Sequence, residues 1–412
     1  MKPTHRHSLS SFWGLSRALL GGLVLLICLA LVTSSSAAPT GQPVRVGSTL
    51  ALTGPLAATA GIHKIVGEIY VEQLNKKNGL LGRPVEWVLL DDQSKPDLTR
   101  ALYDRLITVD KVDLILGPYA TASILSAMAV AERYQKLLIH HTFGLPHLAK
   151  YEMHFPSWPQ GPELSRTIPG VVFDALASTA TPPKTVAVLT SKFPSLHFIS
   201  QGAREVAAKR GLKEIIYLEY EFGNRDFGAI AARVKEVNPD FIWVGATSLD
   251  ANMLLEAFKK LEYAPRRHFY LYPAPGPLAV APEGQGALAI SIFEEHPPFT
   301  ASPVAGEFVK LYHERAAKAG LPYQLVDSQA AASFAAWQIL ETAITATGTL
   351  DDKTLGRWIK ANRVETIVGR HRFDGPYNYG DELSKVKQVQ GGKWLVVWPK
   401  EFAAPGTKLL AP

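Results

Sequence analysis

Cysteine is nearly absent from this chain of 412 residues; the single one is Cys28. It lies inside the apolar run Ala18–Val32, so the rest of the chain can build neither a disulfide staple nor a C-x-x-C motif for redox chemistry or zinc. Long apolar runs are equally scarce. Ala18–Val32 has 15 residues, short of the ~20 that a membrane helix needs, and no later stretch approaches it. Acidic residues are missing from the first 38 positions, which carry Lys2, Arg6 and Arg17 ahead of the apolar run and the small polar TSSSAA after it. That is the pattern of a cleavable secretory signal, with Ser36 and Ala38 suited to the −3 and −1 positions. A signal peptide is expected over 1–38, and with it a periplasmic location. Cys28 follows Leu-Leu-Ile rather than small residues, so it reads as part of the signal core and not as a lipid-attachment site.

Strong charge of either sign is also lacking. The formal charge of +6 falls to about +3 beyond the signal, and no stretch there concentrates Lys and Arg with interleaved aromatics. No nucleic-acid partner is expected. Catalytic constellations are missing as well: there is no G-x-S-x-G elbow and no G-x-x-x-x-G-K cradle. Gly284-Gln285-Gly286-Ala287-Leu288-Ala289 fits G-x-G-x-x-A, but it follows a Pro-rich loop and precedes a strand, the reverse of a dinucleotide site. His140, His141, His147 and His154 crowd together without the spacing of a ligand pair, so they read as polar loop and cleft lining, and no metal or cofactor is expected. Asp91 and Asp92 are adjacent on a strand and point to opposite faces, which suits a turn before Pro96 better than acid–base work. The chain reads as a binder, not an enzyme.

What is present is alternation. Strands are expected at Val44–Leu52, Val85–Asp91, Asp113–Gly117 and Leu137–His141, with helices at Ala58–Asn78, Leu98–Val109 and Thr121–Tyr134 between them. Near-continuous apolar strands alternating with helices mean a parallel sheet covered on both faces. The pattern restarts with strands at Lys184–Thr190, Glu214–Tyr220, Asp240–Ala246 and Ala287–Phe293. A helical block Val304–Ala361 follows, then short strands around Thr366–Phe373, Lys385–Val389 and Trp394–Trp398. The class is α/β with two sheets in series, hence two lobes. Phe155–Pro162 and Glu294–Pro298, rich in Pro, fall where the chain would cross between them.

The segment Gly117–Ser123 (GPYATAS) carries the most information. It joins an apolar strand to a helix, and open parallel sheets bind ligands at the carboxyl ends of their strands. Free N–H groups and the Thr121 and Ser123 hydroxyls would there meet the positive end of a helix dipole, a setting suited to a carboxylate. Ordinary N-capping by the same residues is the alternative.

The runs VRVGSTLALTGPLA, LNKKNGLLGRPVEWVLLDDQSKP and VDLILGPYATAS, with GRHRFDGPYNYG later, resemble the leucine/isoleucine/valine-binding family of periplasmic solute-binding proteins. The resemblance implies a type I periplasmic binding fold: two doubly wound parallel-sheet lobes joined by a three-strand hinge, 44–157 plus 297–372 and 158–296 plus 373–405. It implies a small-molecule ligand, an amino acid or a related organic acid, and as partners a membrane permease and ATPase; a sensor of the same fold is the other reading. By position, Thr121, with its neighbours Tyr119 and Ala120, matches the place that holds the ligand carboxylate. Thr142 and Gly144 match the groups after the fourth strand. Thr59 and Thr247 stand where amino-acid binders often place a tyrosine, Tyr272 is a further ligand contact, and Ala274 falls near the acid that would pair with a ligand ammonium. No acidic residue lies between Tyr263 and Ala281, while Tyr119, Phe143, Tyr270, Tyr272 and Phe293 cluster near the expected cleft. An aromatic acid therefore competes with an α-amino acid.

Overall fold

In the computed structural model, Met1 and residues 38–410 except 322 are described. The expected signal over 1–38 lies outside the described residues but for its two end positions. The chain from Pro39 onward forms one compact unit.

The first sheet holds β1 (Val44–Leu50), β2 (Val85–Asp91), β3 (Leu114–Leu116), β4 (Leu138–His140) and β5 (His154–Pro156). Their order is β2-β1-β3-β4-β5 and every pairing is parallel. Helices α1 (Ala57–Lys76), α2 (Pro96–Thr108) and α3 (Thr121–Tyr134) are its crossovers. After β5 the chain passes to α4 (Leu164–Ala177) and a second alternation. This comprises β6 (Thr185–Ser191), α5 (Pro194–Lys209), β7 (Lys213–Tyr220), α6 (Gly228–Val237) and β8 (Phe241–Ser248), then α7 (Asp250–Lys260), β9 (His268–Pro273), α8 (Pro275–Val280) and β10 (Leu288–Ser291). The chain then returns to the first sheet with α9 (Pro303–Lys318), α10 (Ser328–Thr347), α11 (Asp352–Ala361) and the hairpin β11 (Val364–Thr366) and β12 (Gly369–His371). A third passage delivers β13 (Lys385–Gln390) and β14 (Lys393–Trp398) to the second sheet. That sheet runs β14-β13-β10-β9-β8-β6-β7, parallel except for the β10–β13 and β13–β14 pairs.

Several sequence expectations need correction. Residues 154–156 pair as a fifth strand before the chain leaves the first sheet, so the crossing starts later than Phe155. His268–Pro273 is a buried central strand that its Pro-rich sequel conceals. The block Val304–Ala361 is three helices, each begun by a capping side chain. Ser302 accepts from the Ala305 N–H at 3.1 Å, Asp327 from Ala330 at 3.2 Å and Asp351 from Thr354 at 2.9 Å. Such caps satisfy N–H groups that a helix start leaves open and contribute about 1 kcal/mol each. Of the four crowded histidines only His147 is exposed in a loop, in the turn after β4; the other three are buried. His140 and His154 sit on neighbouring strands with Nε2 and Nδ1 2.9 Å apart, and both are fully buried.

Buried aromatics fill the space behind the second sheet: Trp243 packs 4.5 Å from Phe269 and 6.1 Å from Phe173, ring centre to ring centre. Burying each such ring stabilises the fold by roughly 1.5–3 kcal/mol.

Candidate functional site

A cavity lies where the carboxyl ends of strands from both sheets meet, the place where open parallel sheets bind small molecules. From the first sheet come Tyr119, Ala120 and Thr121, after β3, and Thr142, after β4. The second sheet contributes Phe193, Ser195 and Leu196, after β6, with Thr247 on β8 and Tyr272 on β9. Trp158 and Gln160 on the first crossing and Gln329 at the start of α10 complete the wall.

The turn after β3 needs two unusual backbone positions. A Cβ on Gly117 would lie 2.5 Å from the Cβ of His140, so only glycine lets β3 and β4 approach this closely. Ala120 adopts φ 76° and ψ 148°, a region that L-residues rarely enter. Its N–H donates to Thr142 Oγ1 at 3.0 Å. Ala120 is the N-cap of α3 and offers no side-chain cap, so neither Thr121 nor Ser123 caps this helix. Ser123 instead accepts from the Thr99 hydroxyl at 3.1 Å. The first-turn N–H groups of α3 thus have no helical partner and sit beside the cavity.

The Thr121 hydroxyl works as an interlock. It accepts from the Gly144 N–H at 3.0 Å and donates to the Thr142 carbonyl at 3.4 Å. Thr142 Oγ1 accepts from Ala120 and keeps its own proton free to donate. Among the expected site residues, Tyr119, Ala120, Thr121, Thr142, Thr247 and Tyr272 are brought together at the wall. Thr59 and Gly144 stand behind it. Thr59 is fully buried beside the Tyr119 phenol. A Cβ on Gly144 would lie 2.6 Å from the Cβ of Ser195, which belongs to the opposite half of the cavity. The two halves are therefore in contact here.

Burial pushes the Tyr119 phenol up to about 12, against the opposing effect of the Thr247 and Thr59 hydroxyls. Tyr272 donates to Gln160 Oε1 at 3.2 Å and meets Trp158 edge-on with ring centres 6.0 Å apart. Behind the wall His63 stacks on His141 at 4.1 Å and lies 4.9 Å from the Tyr119 ring. Burial holds both imidazoles neutral, that of His141 down to about 3. At the second crossing the buried Lys387 ammonium meets Glu294 at 2.6 Å, and Ser291 donates to the same carboxylate at 3.1 Å.

Three of the aromatics expected at the cleft are core residues: Phe143, Tyr270 and Phe293 each pack in a hydrophobic cluster and do not line the cavity. Phe193 and Trp158 take their place. Ala274 lines a neighbouring cavity together with Asp327. Phe193, Ser195 and Leu196 follow β6 as Thr121 follows β3, so the strand-end rule could have found them; nothing local marked Trp158, Gln160 or Gln329. Among the described residues, no three His, Cys, Asp or Glu side chains converge as a metal site.

Residues 43–393 match the family model described as periplasmic binding protein. The chain belongs to that family. One relative is the leucine-, isoleucine-, valine-, threonine-, and alanine-binding protein of Pseudomonas aeruginosa, 24% identical over 215 residues, which are 51% of this chain. The chain spans only 55% of that relative's length. Two solved structures share the fold over nearly their whole length. The solute binding protein of an ABC transporter from R. palustris, in complex with benzoate, has a TM-score of 0.74 at 18% identity, covering 89% of this chain and 99% of that one. The branched-chain amino acid transporter substrate binding protein from Streptococcus pneumoniae, in complex with isoleucine, has 0.74 at 17% identity, covering 90% and 100%. The periplasmic binding protein fold thus accounts for both parallel sheets and the three passages between them.

Proposed function

We propose that this chain is the extracytoplasmic solute-binding component of an ABC uptake transporter, closing its two lobes on an amino acid or a related small organic acid. The observation that carries the reading is the cavity itself. It lies at the carboxyl ends of strands from both sheets, where the α3 N–H groups and the free Thr142 proton converge. That corner suits a carboxylate, because unpaired N–H groups at a helix start carry partial positive charge.

In this reading residues 44–157 with 297–372 move as one lobe and 158–296 with 373–405 as the other. Tyr119, Ala120, Thr121, Thr142, Thr247 and Tyr272 contact the solute, with Thr59 and Gly144 supporting them. Delivery is to a membrane permease powered by an ATPase, and residues 1–38 are removed on export. That the chain binds rather than catalyses is supported by its relatives, which are named for binding.

A thermal-shift screen of amino acids and aromatic acids tests it. A ligand at 100 times its dissociation constant adds about 2.7 kcal/mol of stability, a rise of several degrees. Small-angle scattering with the same ligand should show a smaller radius of gyration at unchanged helix content. A panel in which no compound shifts the transition would overturn the reading. N-terminal sequencing of native protein should begin near Pro39; an intact Met1 would refute the export step.

A further inference from the structure

We infer that the second sheet carries an anion site remote from the cleft, where the buried guanidinium of Arg267 takes a small oxyanion of the phosphate or sulfate type. The site stands whichever solute the cleft binds.

Its place is the amino end of β9. His268 opens that strand and Tyr272, further along it, lines the cleft. At about 3.3 Å per residue the two lie roughly 13 Å apart. A second cavity sits at the His268 end, walled by Arg266, Arg267 and His268 and, on its apolar side, by Leu176, Leu288 and Leu410. Its volume of about 220 Å³ far exceeds the ~10–15 Å³ that one water needs. None of its lining residues is acidic.

Arg267, Lys385 and Lys387 are the buried cations among the described residues, and the two lysines are provided for. Lys387 meets Glu294 at 2.6 Å, and Lys385 lies 4.4 Å from the centre of the Phe402 ring. Arg267, 8% exposed, has only neutral partners. Its Nη2 donates to the Thr181 carbonyl at 2.7 Å and to the Thr181 hydroxyl at 3.0 Å, while Nε is buried with no partner. Asp240, the carboxylate whose field favours the Arg267 charge, is committed elsewhere. Its Oδ1 meets Arg266 at 3.3 Å, and its Oδ2 accepts from the Lys184 and Thr185 N–H groups at 3.0 and 3.1 Å. Burial and the adjacent Arg266 both work against the Arg267 cation. His268 adds no charge, because burial holds it down to about 4. A guanidinium stays charged inside a protein, and a buried charge calls for a counter-charge. An oxyanion supplies that charge and hydrogen-bond acceptors together, in bonds about twice as strong as neutral ones. The leucine walls lower the local dielectric and strengthen the pairing.

Thermal unfolding and calorimetric titration in phosphate, sulfate or chloride at equal ionic strength, without solute, test the inference. Phosphate or sulfate should raise the melting temperature above its value in chloride. Arg267→Gln should weaken phosphate binding at least about tenfold, the loss expected for a hydrogen bond between charged groups. Arg267 also holds the Thr181 segment, so a second variant leaves it untouched. Leu410→Glu sets a negative charge on the cavity wall at an exposed side chain, while the Leu410 N–H and carbonyl keep their bonds to Gln388 at 2.8 and 3.0 Å. It should melt as the parent does in chloride and bind phosphate about threefold or more weakly. Equal melting temperatures in phosphate and chloride would overturn the inference. Phosphate binding undiminished in a folded Arg267→Gln, or in Leu410→Glu, would overturn the assignment to this cavity. Binding lost in Thr142→Val but kept in Arg267→Gln would put the anion in the cleft and overturn it as well.

Discussion

Gly144 is the sharpest point at which to perturb the molecule. Its backbone lies outside the left-handed region, so alanine is allowed there on conformational grounds. The obstacle is the opposite half of the cavity: a Cβ at this position would lie 2.6 Å from the Ser195 Cβ. Contacts that short do not occur between carbons, and forcing an extra methyl into a packed contact typically costs about 1–3 kcal/mol. In a protein that closes on its ligand, the clash falls on the closed state alone, and affinity drops by the fraction of molecules still able to close. Gly144→Ala should therefore weaken binding roughly 5- to 150-fold while leaving the ligand-free melting temperature within a degree or two. The N–H to Thr121 survives the substitution, so the interlock is not at issue. Ser195→Gly removes the atom struck, and the double variant should recover most of the lost affinity in a titration. Wild-type affinity in Gly144→Ala, or no recovery in the double variant, would refute the reasoning.

Thr142→Val removes the hydroxyl proton beside the α3 N–H groups and the acceptor of the Ala120 N–H, so it should weaken binding of an acid about tenfold or more and lower the melting temperature; Thr121→Val strands the Gly144 N–H and should lower the melting temperature too, so wild-type stability of Thr121→Val would count against the interlock. Lys387→Met leaves Glu294 buried without its partner and should destabilise by about 3–5 kcal/mol in urea unfolding; a loss under 1 kcal/mol would show the pair to be dispensable. Stability should also fall as the pH drops below about 6.5, where an unfolded histidine gains its proton. Burial holds the folded His141 down to about 3 and His154 to about 4, and also lowers His63 and His140. The unfolded chain therefore takes up protons that the folded one refuses between pH 6.5 and 4, at up to about 1.4 kcal/mol per pH unit per histidine. Flat stability between pH 6.5 and 4.5 would contradict the burial of these rings.

The sheets were legible because their strands are apolar runs separated by helices of clear period, as in VEWVLLD and DLILG. β9 was not, since HFYLYP runs straight into APGP and reads as loop; it becomes a strand because β8 and β10 flank it and supply its pairing. The corner around Thr121 was readable from a strand end and a helix start standing next to each other in the chain. The Thr121 hydroxyl's engagement with Gly144 was not, because it depends on how the segment after β4 folds back over α3. Trp158 and Gln160 reach the wall only through the first passage between sheets and Gln329 only through the placement of α10, tertiary arrangements with no local period. Phe143, Tyr270 and Phe293 show the converse error: aromatic residues near a cleft in sequence were drawn into cores, where burial rewards them more.

The last passage between the sheets also sets an order of events during synthesis. β10 ends at Ser291, yet the strand that seals its open side begins only at Lys385. At about 5–20 residues per second, roughly 5–20 s separate the emergence of the two from the ribosome. Through that interval the second sheet has an uncovered edge, and its half of the cavity cannot settle. A nascent chain of this design stays pliable until it is almost finished, whereas the β1–β5 segment is available to pair much earlier. Fragments that stop short of β13 should accordingly be poor mimics of the whole, and the site will not be recovered by dividing the gene at any single position.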